Sequence, residues 1–344
     1  MSILRRMARW ETMLAILVVA LIAIGAAVSP VFLAVNNFSN LSAALTEVAL
    51  MALPMALVII AGEIDLSVES MLGLSCAVLG FLWAGGVPLW VGIPIVLGIG
   101  ALGGMLNGIL VTRFMLPSLV VTLGTLALFR GLALVVLGPR GVSKFPDWFT
   151  TFGFRSVPGT PIPWPFVIFA ILAIVLGVIL HRTWAGRHIY AVGRNVEAAR
   201  YSGVRVDRLK LSLFTLSGVV AALAGVIFTA RFASARADAG EGMTLTVVTI
   251  VLLGGVNIFG GRVTIPGVVL AFLTLAVLGN VLRLTRVSTE MQSIATGALL
   301  ILSVVVPMLA QQVRLAIERM RRDRHPPPFS HTAGAGAAGG DEAA

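Results

Sequence analysis

The stretch His181–Lys210, HRTWAGRHIYAVGRNVEAARYSGVRVDRLK, is the longest polar interruption between apolar runs in this chain of 344 residues. Apolar runs end near Leu180 and resume at Leu209, so the segment must lie outside the lipid bilayer. It carries six arginines and one lysine against only two acidic residues. Because cytoplasmic loops of membrane proteins are enriched in Lys and Arg, this excess predicts that the segment faces the cytoplasm.

Within this segment the residues predict a short helix that is exposed to water. Asn195 can cap its N-terminus, and Glu197 lies in the first turn, where the helix dipole favours an anion. Arg200 follows toward the C-terminal end, and Gly203 most easily takes the left-handed conformation that ends a helix. Such a helix is roughly 10 Å long and marginal on its own, so we expect it to dock on its own chain or a partner. Asp207 is placed to cap the helix that follows.

The run GRNVEAARYSGVRVDRLKLSLFTLSG, from Gly193 to Gly218, carries a resemblance to a known family. It resembles the cytoplasmic coupling loop of ABC transporter permeases that import sugars of the ribose, xylose and arabinose type. The resemblance implies that an ATPase subunit grips the short helix, through Asn195, Glu197, Ala198, Ala199, Arg200 and Gly203. The residues alone also allow an ordinary basic connector between two membrane spans.

Composition places the whole chain in a membrane. Hydrophobic residues make up 58% of the chain and charged residues 12%. This is enough for about ten helices of roughly 20 residues each, so we predict an all-α integral membrane protein. The net charge of +10 comes mainly from arginine, and in a membrane protein it indicates topology and contact with anionic lipid rather than nucleic acid. Cys76 is the sole cysteine, so no disulfide can form within the chain.

The chain divides into three predicted regions. We expect residues 1–12 to be a cytoplasmic N-terminus, residues 13–311 a transmembrane permease domain with its coupling loop at 182–208, and residues 312–344 a cytoplasmic tail. The tail is basic at first and then disordered by composition. Residues 138–165 are predicted to be an external loop. The ten predicted spans cover about 12–33, 41–61, 68–83, 89–111, 116–138, 166–181, 209–232, 244–258, 263–282 and 291–309.

The segment GEIDLSVE, residues 62–69, places three acids between the second and third predicted spans. It resembles the GGIDLSVG motif of the same permeases, but Glu63 and Glu69 stand where that motif has glycine. Asp65 and Ser67 can cap the third span, and direct contact of Asp65 with the substrate is the alternative.

The fourth predicted span contains Gly100, Gly104 and Gly108 at four-residue spacing, which forms a groove for close packing of another helix. Asn107 beside this groove is either a hydrogen-bond partner between helices or an amide that lines a pore.

Arg130 lies about 12 Å from the end of the fifth predicted span, too deep for a border residue. Its side chain can either snorkel to the headgroups or face a polar cavity. We favour the cavity, because TLGTLALFRG also resembles the sugar permeases. The stretches SARADAG and VLLGGVNIFGG resemble the same family, particularly its rhamnose and autoinducer-2 branches.

A shift of 173 positions aligns Asn107 with Asn280 and Asp65 with Asp238. The aligned positions fall on opposite sides of the membrane by the span count, which indicates an inverted repeat of five plus five helices. The candidate translocation path therefore comprises Asp65, Asn107, Arg130 and Asn280.

The chain lacks the GxxxxGK[ST] loop that cradles nucleotide phosphates, so ATP must be bound by a separate ATPase subunit. The resemblance implies a permease of the bacterial inner membrane that imports a monosaccharide by alternating access. It also implies two further partners, a periplasmic or extracellular sugar-binding protein and a second permease subunit, identical or related. We expect no cofactor, metal site or catalytic residue. A transporter driven by an ion gradient is the alternative, although the acids cluster at span ends rather than at the midplane. A membrane enzyme is disfavoured by the absence of HExxH and serine-elbow motifs.

Overall fold

The structure, a computed structural model, describes residues 3–256 and 264–303, together with residues 305 and 309. The described residues are almost entirely helical. Two short strands form one antiparallel pair, with Val142 opposite Ala235. The second half of the predicted motif VLLGGVNIFGG, most of the last predicted span beyond residue 303 and the predicted tail at 312–344 lie outside the described residues.

Helices and short strands follow one another along the chain. The first half contains α1 (Ile3–Val28), α2 (Val35–Ala44), α3 (Thr46–Ile60), α4 (Val68–Ala84), α5 (Leu89–Thr112) and α6 (Ser118–Leu137). The middle contains β1 (Val142–Ser143), α7 (Asp147–Phe154), α8 (Trp164–Arg182), α9 (Trp184–Arg194) and α10 (Val196–Tyr201). The remainder contains α11 (Val206–Phe232), β2 (Ser234–Ala235), α12 (Met243–Leu253) and α13 (Ile265–Leu284), and residues 289–303 are also helical.

Six of the described helices are long and apolar enough to cross a membrane, and the pair α2 and α3, bent by 43°, adds a seventh if it is one span. All ten segments predicted as spans contain helix, but two of them are short. Helix α4 has 17 residues and α12 has 11. At ~1.5 Å per residue these reach roughly 26 and 17 Å, less than a hydrocarbon core of about 30 Å. The predicted total of about ten spans is therefore not confirmed by helix length.

The core is built around α3 and α11. Every residue of α3 is buried, and its sequence is apolar around the whole circumference, as expected for a helix enclosed by other helices. Helix α11 is the longest, with 27 residues, and it contacts α3, α4 and α5. Large side chains such as Phe214 and Phe272 are fully enclosed in this core.

The three glycines of α5 face α11 at very short range. A Cβ atom added at Gly104 would lie 2.2 Å from the carbonyl oxygen of Phe214, and one at Gly100 would lie 2.5 Å from that of Gly218. At Gly108 it would lie 2.7 Å from Cδ1 of Leu211. Small residues thus let the two backbones meet without intervening side chains, which is how helices pack in lipid.

Helix boundaries repeat at nearly the shift seen in the sequence. Helix α12 begins 175 residues after α4, and α13 begins 176 residues after α5 and ends 172 residues after it. The helical stretch that begins at residue 289 starts 171 residues after α6. This agreement supports an internal repeat, with α7 to α10 lying between its two copies.

Two segments that were predicted as loops contain helices. Helix α7 lies in the predicted external loop, where Gly153 contacts the backbone of Ala230 and Arg231. Helix α9 lies in the predicted coupling loop and buries Ile189 and Val192.

Candidate functional site

Helix α10 has the caps that its sequence predicts. Asn195 has extended backbone angles, and its Oδ1 accepts a hydrogen bond of 2.9 Å from the backbone N–H of Ala198. Gly203 has φ of +82°, its N–H donates to the carbonyl of Arg200, and the N–H of Val204 donates to the carbonyl of Ala199. This pair of bonds is a Schellman motif, so both ends of a helix of only six residues are closed.

Helix α10 presents one face outward and is anchored by the other. Ala199 is buried, whereas Glu197, Ala198 and Arg200 are exposed. Tyr201 is 93% exposed. Tyr201 is the last residue of α10, and exposed aromatic residues are enriched at protein interfaces. The sequence reasoning missed it. Nothing in the sequence singles out Tyr201, because tyrosine also occurs on surfaces that bind no partner.

The prediction that Asp207 caps the following helix is wrong. The N-cap position of α11 is occupied by Arg205, and Asp207 lies one residue inside the first turn. Its Oδ1 instead accepts a hydrogen bond of 2.7 Å from Nη2 of Arg200. The reason is that the backbone turns tightly after Gly203, which starts α11 before Asp207. The ion pair links α10 to α11, although both side chains are about half exposed and such a pair contributes little stability.

Helix α9 packs against α10. Its buried residues, Gly186, Ile189 and Val192, recur every three positions, which places them on one side of the helix. Tyr190 is half-buried, and this burial raises the pKa of its hydroxyl to about 12. The sequence analysis predicts a loop here, because these residues mix polar and apolar types and contain no long apolar run.

Asp65, Ser67, Asn107 and Ser217 form a buried polar cluster. Oδ1 of Asp65 accepts bonds from the backbone N–H of Ser67 at 3.1 Å and from its hydroxyl at 2.6 Å. Oδ2 accepts from the hydroxyl of Ser217 at 2.7 Å. Ser67 occupies the N-cap position of α4 but makes no capping bond with its side chain. The side chain of Ser67 therefore does not cap α4 as predicted. Asp65 instead closes a turn by accepting a hydrogen bond from the backbone N–H of Ser67.

Asn107 joins this cluster from α5. Its Nδ2 donates to the hydroxyl of Ser67 at 2.9 Å, and its Oδ1 has no hydrogen-bond partner. Asp65 and Asn107 are each about 1% exposed. The cluster therefore connects the α3–α4 turn, α5 and α11, and in this conformation it does not open to solvent.

Arg130 turns into the protein. Its Nη1 donates to the carbonyl oxygens of Ala237 at 2.7 Å and Ala239 at 3.1 Å, and its Nη2 is buried without a partner. The side chain thus binds backbone carbonyls, and the choice between snorkelling and a polar cavity stays a prediction. These carbonyls belong to the non-helical segment between β2 and α12. Arg130 satisfies polar backbone groups that could not be left unpaired inside a membrane protein.

Glu63 and Glu69, which replace glycines of the motif, both have partners. Glu63 forms an ion pair with Lys210, and both side chains are mostly buried. Oε2 of Glu69 accepts a bond of 2.8 Å from the backbone N–H of Thr244, in the first turn of α12. A carboxylate there satisfies an otherwise unpaired helix N–H and complements the helix dipole.

Asn280 lies apart from the Asp65 cluster. Its amide exchanges two hydrogen bonds with that of Asn37, at 2.9 and 3.0 Å. The four candidate path residues therefore fall into three separate groups. Asp65 and Asn107 share one cluster, Arg130 binds the segment before α12, and Asn280 lines a cavity elsewhere.

Comparison with known proteins places this architecture in a family. A family model described as "Branched-chain amino acid transport system / permease component" matches residues 37–304. Proteins named "Autoinducer 2 import system permease protein LsrD" align over most of the chain. The one from Enterobacter sp. (strain 638) is 36% identical and covers 86% of this chain and 92% of its own length. The one from Photorhabdus temperata is 34% identical, with 92% and 97% covered, and the one from Yersinia enterocolitica is 35% identical, with 94% and 99% covered.

No solved structure matches the chain. The family model nevertheless spans α3 to α13, which contain the glycine contact, the Asp65 cluster and α10. Together with the long apolar helices, these matches make the chain a multi-pass membrane protein and a transport subunit, and it belongs to the sugar-type ABC importer permease family.

Proposed function

We propose that this chain is the membrane-spanning subunit of an ATP-driven importer in a bacterial inner membrane. It would work with a separate ATPase, a sugar-binding protein on the outside and a second permease subunit, identical or related. The observation that carries this proposal is α10, a six-residue helix that is capped at both ends and exposes Glu197, Ala198 and Tyr201. In this proposal Asn195, Glu197, Ala198, Ala199, Arg200 and Gly203 form the ATPase-coupling element.

The proposed arrangement has about ten membrane-crossing or partly crossing helices and both termini in the cytoplasm. Helices α4 and α12 are the short members of this set, and each follows a non-helical segment that contains buried residues, such as Asp65 before α4 and Ala239 before α12. The proposed topology places α10 on the inner side and the β1–β2 pair on the outer side, in keeping with the basic charge around α10.

Helix α11 can transmit a movement of α10 from the proposed inner face to the proposed outer face. It starts beside α10, where Asp207 binds Arg200, and it runs for about 40 Å without a break. Along its length it contacts the glycines of α5, donates from Ser217 to Asp65 and ends at the ion pair of Arg231 with Glu47. Displacement of α10 by the ATPase would therefore move elements on both sides of the proposed path, as alternating access requires.

The relatives' names supply the proposed substrate. They are import permeases for autoinducer 2, a small molecule, and the same family resemblance points to monosaccharides such as ribose and rhamnose. We infer that this chain transports autoinducer-2 or a similar small sugar.

A transporter driven by an ion gradient is the second candidate. The observation in its favour is Asp65, a buried carboxylate with hydroxyl and N–H partners but no cation within ion-pair distance among the described residues. Buried carboxylates of this kind serve as proton or ion sites in some transporters.

Uptake into proteoliposomes separates these two candidates. The permease is reconstituted with and without a candidate ATPase and a candidate binding protein, and uptake of autoinducer-2 is measured. We expect uptake only with both partners and ATP. Uptake by the permease alone under a proton or sodium gradient would instead establish the second candidate.

A further inference from the structure

A cavity of about 400 Å³ lies where the ends of four helices meet. It is separate from both α10 and the Asp65 cluster. Helix α2 contributes Asn37 and Asn40, and α7 contributes Phe154, while α11 and α13 contribute Arg231, Asn280 and Arg283. Its volume is in the range of small-molecule pockets and exceeds that of one monosaccharide.

Hydrogen bonds hold the side chains of Asn37, Asn280 and Arg231 in place at the cavity. The paired amides of Asn37 and Asn280 are held further by a bond of 2.8 Å from Asn37 to the carbonyl of Phe32. Nε of Arg231 donates to Glu47 at 2.7 Å, and its guanidinium lies 4.5 Å from the ring centre of Phe232. These contacts orient Arg231 and leave its terminal N–H groups available.

Other donors at the cavity have no protein partner. Among the described residues, Arg283 has no carboxylate within ion-pair distance, and Asn40 has no side-chain hydrogen bond. Arg231, Arg283 and Asn40 together offer many N–H donors. The cavity is therefore suited to a ligand rich in acceptor oxygens.

The charge balance indicates a neutral ligand. Arg231 and Arg283 lie in the last turns of α11 and α13, where cations complement the negative helix ends. Each helix end carries roughly half a negative elementary charge. Helices α2 and α7 also end at the cavity, at Ala44 and Phe154. With these negative helix ends and the carboxylate of Glu47, no excess positive charge remains to select an anion.

We propose that this cavity is a substrate-binding site of the permease itself, for a neutral polyhydroxylated molecule. The guanidinium and amide groups would donate to hydroxyl and carbonyl oxygens, and the ring of Phe154 would cover an apolar C–H face. This proposal rests on the proposed function and adds that substrate selection does not reside only in the binding protein. In the proposed topology the cavity opens to the outside.

Cysteine labelling tests this site directly. The sole native cysteine, Cys76, is buried, so a single introduced cysteine reports one position. Ala44→Cys lines the cavity without removing a proposed donor, whereas Asn36→Cys is an exposed control on the same helix outside it. Each variant is assembled with its ATPase and treated from outside with a membrane-impermeant maleimide, with and without autoinducer-2. D-ribose serves as a second probe.

We expect the solute to slow labelling at position 44 severalfold and saturably, and to leave position 36 unchanged. Adding Arg283→Gln to Ala44→Cys should abolish this protection, whereas the matched change Arg286→Gln should preserve it. Equal labelling with and without both solutes would overturn the proposal. Protection by the binding protein without solute would also overturn it, because the cavity would then be a docking surface. These results are independent of whether uptake requires ATP, so the two proposals can fail separately.

Discussion

Arg130 shows how a buried arginine can find its partners in the backbone. The sequence predicts that this residue is too deep for a border position, and in the structure its guanidinium binds backbone carbonyls of the protein. Its partners, the carbonyls of Ala237 and Ala239, are more than a hundred residues away in the chain. Sequence reasoning could not identify them, because carbonyls are present at every position and no residue type marks the acceptor.

Replacing Arg130 by leucine should lower both transport and stability. The change leaves two buried carbonyls unpaired, and each such loss costs about 1–3 kcal/mol. Arg130→Lys keeps the charge and one donor direction, so it should be intermediate. Melting of the detergent-solubilised protein and ATP-dependent uptake would be measured together. Full uptake and an unchanged melting temperature for Arg130→Leu would show that these hydrogen bonds are dispensable.

Tyr201 provides a second test at the scale of one residue. Its side chain is 93% exposed and contributes nothing to the core, so Tyr201→Ala should not change the melting temperature. If the ATPase covers α10, the same change should reduce copurification of the ATPase, because buried aromatic residues dominate interface energies. Tyr201→Phe is the matched control and should retain the partner. Equal copurification by all three proteins would place Tyr201 outside the interface.

At the scale of elements, apolar runs are easier to predict than short helices. The long helices follow from runs of about 20 apolar residues, and the close contact of α5 with α11 involves the glycines at four-residue spacing. Helices α7 and α9 were missed because they are short and polar on one side. Their helical state depends on packing against α11, α8 and α3, which the local sequence does not reveal.

Because α5 and α11 are in close contact, a side chain added at a glycine between them should strongly lower stability. At Gly104 even a Cβ atom meets the backbone of Phe214, so Gly104→Val must separate the helices. At Gly98 of the same helix nothing lies within 4 Å, so Gly98→Val is a matched control. We expect lower yield and a lower melting temperature for Gly104→Val only. Similar melting of both variants would contradict a close contact at this position.

At the scale of the whole molecule, the sequence identifies the family and the membrane location, but not how deep each helix reaches. Helices α4 and α12 were predicted as spans over about 68–83 and 244–258, because those residues are mostly apolar. In the structure α4 has nearly these bounds and α12 ends at Leu253. The segments before both helices form turns with side-chain partners, as Asp65 binds Ser67 and Arg130 binds Ala237. Such side-chain partners allow non-helical backbone at membrane depth, and they depend on tertiary contacts.

The same limit applies to the candidate path. Asp65 and Asn107 were both expected to be functional, and the structure brings them into one cluster through Ser67. Ser217 joins that cluster from 152 residues away, and the cavity at Asn280 involves four separate helices. Sequence spacing predicts neighbours along one helix face but does not predict which helices meet.

Reversal of charge on α10 tests the central claim, that a separate ATPase drives this permease through that helix. Glu197→Arg changes an exposed residue in the first turn of α10, and Glu241→Arg makes the same change at an exposed position in the segment before α12. ATP-dependent uptake and copurification of the ATPase are measured for both variants in membranes of equal permease content. The account predicts that Glu197→Arg loses both while Glu241→Arg keeps both. Undiminished uptake and ATPase binding by Glu197→Arg would contradict it.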